Sequence, residues 1–490
     1  MTRPAVYIAG VGILSALGAG LEATEKGLRE NRSAIAPLSL FTPLYGAPLP
    51  TGQVNDTCLD RGQSSPLSRT HQLALTAARQ AIADSGCHLP PEAVVLGTTT
   101  GGILSTEELL RKNSLQKELY QYHGLHGVAA DVARQCGCTG PAMVVSTACS
   151  SGVVAITLAV QMLRSGKFRT ILAGGADSLS RLTYFGFLSL QLVDQAGCRP
   201  FDQNRQGMAV AEGAGMLLLT TEKPEKWCAE IIGAGLSCDA YHPVTPHPEG
   251  QGAYTAMHRA LADAGLSPEN ISYINLHGTG TPDNDLAEAK AVRRLFAVPP
   301  PLSSIKGTTG HSLAAAGAIE AIVATLAIAK GLLPANTGLQ QVDPSLGISP
   351  IREPVNASVQ SVLTNSFGFC GNNGSLVIAT PNRFSPPAAE SRTAALSVHG
   401  YSCLSGAGDT LATLSRIRAG SSAAGMATVD TFLKNLAPRL VRRLKRLPRM
   451  TLSLAASASA DAERANAKMA SLKLFLWEPA GGPCPRPLIF

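Results

Sequence analysis

Cys149 lies in a run of small residues, Thr147-Ala148-Cys149-Ser150-Ser151-Gly152, between an apolar β-type stretch, Ala142 to Ser146, and an apolar segment, Val153 to Leu163. That order predicts a strand-to-helix elbow, where first-turn N–H groups and the helix dipole stabilise a thiolate. The small neighbours would let a thioester approach the sulfur closely. A lone cysteine before a buried helix is more often a packed core residue, so the elbow alone does not make a nucleophile. Two histidines add to it. His277 follows a predicted strand in Asn275-Leu-His-Gly-Thr-Gly-Thr-Pro282, and His311 lies in Lys306-Gly-Thr-Thr-Gly-His-Ser-Leu-Ala-Ala-Ala-Gly317, at the mouth of an Ala-rich helix. A thiol that accepts an acyl group and two neutral imidazoles that hold an enolate are the parts that a decarboxylative condensation needs.

Position by position, Gly140-Pro-Ala-Met-Val-Val-Ser-Thr-Ala-Cys149-Ser-Ser-Gly-Val-Val-Ala-Ile156 resembles the active-site signature of the β-ketoacyl synthases. The resemblance, to the elongating synthases of fatty acid and polyketide assembly, runs from about Val6 to Ala379. It implies a Cys-His-His set in which Cys149 carries the acyl chain and the Nε2 donors of His277 and His311 hold the malonyl thioester. It also implies that Lys306 orders the site with Glu320 as its buried partner, and that Thr279 and Thr281 bind a phosphopantetheine arm. Asp285 and Glu288 match family positions and are read as structural. The loop Asn365-Ser-Phe-Gly-Phe-Cys-Gly-Asn-Asn373 resembles the family's gate, in which Phe369 guards the acyl pocket and its N–H, with that of Cys149, forms an oxyanion hole. Two residues depart from the pattern: Cys370 stands where glycine is usual, and Gln206 where Asp is commoner. If position 370 needs a positive φ, the loop is stiffer than in relatives.

The elements that must position these residues read as α/β. Val6 to Val11 is a strand, Gly12 to Gly20 a glycine-punctuated loop, Leu21 to Arg29 a helix, and Ser68 to Asp84 an Ala-rich helix. Phe168 to Ala173 is a strand ending at Gly174-Gly175-Ala176-Asp177, and a second α/β section follows from about Ile231 to Ala379. With the resemblance, this implies a thiolase-like, duplicated, layered α-β-α-β-α core. Residues 1–235 form the half with Cys149, residues 236–382 the half with His277 and His311, and 383–395 a Ser/Pro/Ala linker. Residues 396–490 read as a partial repeat of the start. Val398 to Gly408 aligns with Ile8 to Gly18, and Leu447-Pro448-Arg449 with Leu67-Ser68-Arg69. That tail is either a docking appendage or the remnant of a second synthase. Its basic cluster, Arg439, Arg442, Arg443, Lys445, Arg446 and Arg449, is either a carrier-protein contact or a solvated helix face.

Composition narrows the function classes. The 490 residues are 45% hydrophobic and 15% charged, which suits a globular chain with a large core. Aromatics at 5% do not supply the interleaved stacking surface of a nucleic-acid binder, and the net charge of +7 fits an acidic protein partner such as an acyl carrier protein. Eleven cysteines without paired CxxC spacing argue for reduced thiols in a cytoplasm and no metal site. Neither a leader nor a run long enough to span a membrane is expected. No organic cofactor is expected beyond the 4'-phosphopantetheine that the carrier protein brings. The family resemblance adds a homodimer, or a heterodimer with a chain-length-factor subunit. It leans toward stand-alone synthases of the aryl-polyene type. Two rival readings are kept: a non-catalytic chain-length factor, which usually lacks the nucleophile, and a thiolase, which would need Cys370 as a second catalytic cysteine.

Overall fold

The structure, a computed structural model, describes residues 3–43, 46, 48–59, 67–87, 90–225, 229–384, 398–428 and 444–464, with short strands at Lys473–Leu474 and Leu488–Ile489. Two compact units divide the chain, Met1–Ala389 and Glu390–Phe490.

The first unit opens with β1 (Tyr7–Ser15), α1 (Gly20–Arg29), α2 (Arg69–Ser85), β2 (Ala93–Gly97), β3 (Ala142–Val145), α3 (Ser151–Arg164), β4 (Thr170–Asp177) and β5 (Gly213–Thr220). It continues with β6 (Ala229–Cys238), α4 (Gln251–Ala264), β7 (Tyr273–Asn275), α5 (Pro282–Leu295), β8 (Leu302–Ser303), α6 (Ala316–Lys330), β9 (Ser361–Gly368) and β10 (Asn372–Ala379). These strands follow one path, β3-β2-β4-β5-β1-β6-β10-β9-β7-β8. Inward from either end the pairings run parallel, parallel, antiparallel, antiparallel. The two five-strand halves meet at a ladder of two residue pairs, Tyr7 with Glu230 and Ile8 with Ala229. Identical order in both halves is the structural signature of a duplication. Position 235 falls inside β6, so the division between the halves belongs before Ala229 and not between 235 and 236.

Helices α3 and α6 pack on each other and on strands of both halves, while α2 covers β1 and β5 and α4 covers β6 and β10. The result is the layered order α-β-α-β-α. Val153, Ile156, Ile319 and Ile322 lie in the central core cluster, as expected for helices that are apolar on nearly every face. The segment Leu313–Lys330 has the length and hydropathy of a membrane span, but 83% of it is buried inside this unit, which makes it a core helix.

Two strands run further than their glycines suggest: Gly12, read as opening a loop, and Gly174, read as ending a strand, both lie inside strands. β1 runs through Gly10 and Gly12 to Ser15, and β4 runs through Gly174 to Asp177. A Cβ on Gly12 would lie 1.9 Å from the Ala77 carbonyl of α2, and one on Gly174 would lie 2.0 Å from the Gly215 carbonyl of β5. Close approach of backbone, not a turn, is what those positions require. The reversal falls to Gly18, at φ 126, whose neighbour Ala19 pairs back on Leu14.

The second unit contains α7 (Thr410–Arg418) and α8 (Arg446–Arg464). Its internal contacts repeat those of the chain's start. The Tyr401 N–H donates to Asp461 Oδ2 at 3.3 Å, as Val11 N–H does to Asp84 Oδ2 at 3.0 Å. Gly400 abuts the Ala458 carbonyl as Gly10 abuts that of Ala81, and Ser405 bridges Gly408 as Ser15 bridges Gly18. By these contacts Arg446 corresponds in sequence position to Arg69, three residues upstream of the alignment of Leu447-Pro448-Arg449 with Leu67-Ser68-Arg69. A carboxylate and a small residue at fixed helical spacing, Asp461 and Ala458, decide that register. Arg446 binds the Ala427 carbonyl, whereas Arg439, Arg442 and Arg443 lie outside the described residues.

Candidate active site

The elbow at Cys149 is tight. Ala148 sits at φ 54, and the Ser151 hydroxyl donates to the Ala148 carbonyl at 2.6 Å while accepting the Thr147 N–H at 2.9 Å. A non-glycine residue in that region is strained, which is common where a nucleophile must be presented at a sharp turn. Glycines let the surrounding segments close in. A Cβ on Gly152 would lie 2.8 Å from the Ala314 carbonyl, and one on Gly368 would lie 3.0 Å from both Ser150 N and the Thr147 carbonyl. The gate loop therefore presses on the elbow, and Ser366 Oγ donates to the Cys149 carbonyl at 3.0 Å. Asp177, at the end of β4, binds the rest together. Its carboxylate accepts from the N–H and hydroxyl groups of Thr99 and Thr100, from the Thr98 hydroxyl and from the Ala314 N–H.

The thiol itself is not the ready thiolate that the elbow suggested. Cys149 is 6% exposed, and burial pushes its pKa up to about 11; Lys306 and the Phe369 N–H act in the opposite direction without overcoming it. Desolvation of a charged sulfur outweighs the helix terminus here. In the free enzyme, then, the rate of Cys149 alkylation by iodoacetamide should rise about tenfold per pH unit between pH 7 and 10, since only the thiolate reacts. A plateau by pH 8, followed by peptide mapping of the alkylated Cys149, would show a normal or activated thiol instead.

Both histidines are 1% exposed and held neutral, chiefly by burial and then by Lys306. Their tautomers follow from their neighbours. Lys306 Nζ lies 3.2 Å from His277 Nδ1 and donates to the His277 carbonyl at 2.5 Å, so the Nδ1 of that ring is an acceptor and Nε2 carries the proton. The Leu313 N–H donates to His311 Nδ1 at 3.2 Å, which again puts the proton on Nε2. The rings meet edge to face at 5.3 Å. His311 Nε2 is buried and has no hydrogen-bond partner, and a buried donor left unpaired is what a substrate oxygen would satisfy.

Lys306 is the hub. It is buried, ion-paired to buried Glu320, and its charge acts on Cys149, His277 and His311 alike. Glu288, pushed up to about 7 by burial, accepts the N–H groups of His277 and Gly278, each at 2.8 Å. Asp285 accepts from the N–H groups of Thr279, Gly280 and Phe201. These two carboxylates are the scaffold of the His277 loop, in keeping with their structural reading. The hydroxyls of Thr279 and Thr281 meet each other at 2.7 Å in a buried pair.

Phe369 packs against Phe187 with the rings tilted, centroids 5.4 Å apart, and turns its N–H to the Cys149 sulfur, toward which the Cys149 N–H is also directed. Cys370 adopts φ 62 and ψ 15, the left-handed conformation that glycine takes without strain. Its side chain is exposed, so it is not set to shuttle a proton inside a buried site as the thiolase reading needs. Gln206 is also exposed, and only its backbone N–H is engaged, at 3.3 Å from Asp194 Oδ2. Two contributors were not singled out from the sequence. Ser366 carried no signal beyond its place in the gate loop, whereas Asp177 was visible as a lone carboxylate ending an apolar strand.

A duplicated α-β-α-β-α core in which one buried lysine acts on an elbow cysteine and on two neutral histidines defines a thiolase-like condensing acyltransferase. The chain matches the beta-ketoacyl synthase N-terminal domain over residues 3–225 and the beta-ketoacyl synthase C-terminal domain over residues 228–340. It belongs to the β-ketoacyl synthase family. A 3-oxoacyl-[acyl-carrier-protein] synthase 2 of Synechocystis is 32% identical over 77% of this chain and 98% of its own length. Nodulation protein E of Rhizobium meliloti is 34% identical over 76% and 98%. Among solved structures, a ketosynthase (ApeO) in complex with its chain length factor (ApeC) from Xenorhabdus doucetiae superposes with a TM-score of 0.69 at 34% identity, covering 77% of this chain and 98% of that one.

Proposed function

We propose that this enzyme transfers an acyl group from an acyl carrier protein to Cys149 and then extends it by two carbons taken from a malonyl carrier protein. In the first step the Cys149 sulfur attacks the acyl thioester, and its proton leaves with the departing phosphopantetheine thiol. The malonyl thioester then enters with its carbonyl oxygen between the Nε2–H groups of His277 and His311. Loss of CO2 leaves an enolate on that oxygen, which the two donors stabilise without themselves being charged. Its carbon attacks the Cys149 thioester; the oxyanion that forms lies against the N–H groups of Cys149 and Phe369. Collapse releases the β-ketoacyl carrier protein, and the Cys149 sulfur regains a proton from solvent. The observation that carries this reading is the pair of adjoining buried rings, each with Nδ1 occupied, and the buried, unpaired Nε2 of His311.

Thr279 and Thr281 take the pantetheine arm in this scheme, exchanging their mutual hydrogen bond for bonds to its amides. No metal or organic cofactor enters it. The chain-length-factor alternative loses ground because Cys149, His277, His311 and Lys306 are all present. Pairing with a second synthase-like subunit, whether a copy of itself or a chain-length factor, is supported by β3, which ends the sheet with Ala142 exposed and Met143 and Val145 half-buried. Solved relatives are ketosynthases paired with chain length factors, and a further one is bound to its acyl-carrier protein. The lean toward the stand-alone aryl-polyene type stands as part of this proposal. Residues 398–464 are read as a partial copy of the fold's first strand and two helices. The test is to incubate the enzyme with acyl and malonyl carrier proteins and weigh the carrier-bound product. A β-ketoacyl chain longer by two carbons is expected; hydrolysis or acetyl transfer without chain growth would overturn the reading.

A further inference from the structure

Two cysteines lie close to each other at the gate turn. Cys238 is the last residue of β6 and pairs in register with Asn372, the first residue of β10, while Cys370 lies two residues before that in the turn that joins β9 to β10. The Cys238 sulfur sits 3.7 Å from the Cys370 carbonyl oxygen, and both side chains are exposed. The neighbouring backbone is already stitched together: Asp239 N–H donates to the Gly371 carbonyl at 2.9 Å, and Cys370 N–H to the Pro243 carbonyl at 2.7 Å. Phe369, whose N–H faces the catalytic sulfur, precedes Cys370 directly.

We infer that Cys238 and Cys370 form a thiol pair that a peroxide or disulfide oxidant converts to a disulfide, locking the gate turn against the end of β6. In that step each cysteine loses its thiol proton and one electron, a sulfur–sulfur bond forms, and hydrogen peroxide takes the two electrons and two protons to become two waters. Cys238 and Cys370 lie on neighbouring backbone segments held in register, so the disulfide needs only the Cys370 side chain to turn toward the Cys238 sulfur. Buried Cys149, with its raised pKa, reacts more slowly than these exposed thiols. A tied turn cannot swing Phe369 aside, so acyl entry slows while the histidine pair stays intact. The effect on activity rests on the function proposed above; the cross-link does not.

The test treats the full-length enzyme with hydrogen peroxide, maps its peptides by mass, and measures condensation before and after a dithiol reductant. A peptide linked through Cys238 and Cys370 is expected, with a loss of activity on the order of tenfold, the scale of a step limited by gate motion, restored on reduction. The Cys238→Ser enzyme should start at the wild-type rate and keep it through the same treatment. Absence of the linked peptide would overturn the proposal, as would Cys238→Ser losing activity as fast as wild type. A linked peptide in an enzyme that shows no condensation at all would leave the thiol pair standing and overturn the proposed function instead.

Discussion

Lys306→Ala should lower the stability of the enzyme by about 3–5 kcal/mol and abolish decarboxylation of malonyl carrier protein. The stability loss follows from what the ammonium faces. Glu320 is buried on a helix whose other residues, Thr325 and Lys330 apart, are apolar or glycine, and burial already pushes its pKa up to about 7 against the pull of Lys306. Removing the cation strands a carboxyl that must either stay charged in the core or take up a proton. The activity loss has a different origin: without Lys306, nothing fills His277 Nδ1, and the ring is free to move its proton there and present a lone pair to the substrate oxygen. Urea unfolding and a CO2-release assay read the two effects separately. The double variant Lys306→Met with Glu320→Leu separates them further, because an apolar pair of similar volume restores packing but not the tautomer. It should recover most of the stability and none of the decarboxylation. Recovery of both would mean that Lys306 acts only through the fold.

His311→Ala should slow decarboxylation by about 10²–10³ while leaving acylation of Cys149 within a few-fold of wild type, the loss typical of one oxyanion donor. His311 faces the site through an unpaired Nε2–H and makes only one side-chain hydrogen bond to the fold, from the Leu313 N–H, so its removal costs little structure. His277→Ala should do the same with a larger loss of stability, since that ring also receives Lys306. Acid should act on both rings in the same sense. Their pKa values lie well below the usual histidine range, so decarboxylation should hold as pH falls through 6.5. In the unfolded chain these rings bind protons from about pH 6.5 downward, so their contribution to stability declines as pH drops below that value. A decarboxylation rate that halves near pH 6.5 would show at least one ring titrating normally.

What could be read from the sequence, and what could not, divides along physical lines. The Cys149 elbow was legible because a strand, a run of small residues and an all-apolar helix leave few other arrangements. The histidines were legible through their glycine- and threonine-rich settings, which matched a family pattern. Gly12 and Gly174 misled because glycine serves turns and close backbone approach equally well, and only the Ala77 and Gly215 carbonyls opposite them show which applies. The acid strength of Cys149 was misjudged for a similar reason. A helix N-terminus is visible in sequence, but the burial that opposes it comes from the gate loop more than 200 residues away, through contacts such as Ser366 with Cys149. In the tail, the likeness of residues 398–408 to residues 8–18 was legible, but the helix register was set by Asp461 reaching Tyr401, which similarity of Ala-rich sequence does not encode.

Everything in this account turns on Cys149 carrying the acyl chain, and intact-mass measurement of the enzyme after incubation with acyl carrier protein addresses it directly. Wild-type enzyme should gain the mass of one acyl group, located by peptide mapping to Cys149, and lose it when malonyl carrier protein is added as the extended product appears. The Cys149→Ala enzyme, folded as judged by its unfolding midpoint, should gain no mass. An acyl group that still attaches to the Cys149→Ala enzyme, or one that maps to a different residue in wild type, would contradict the account.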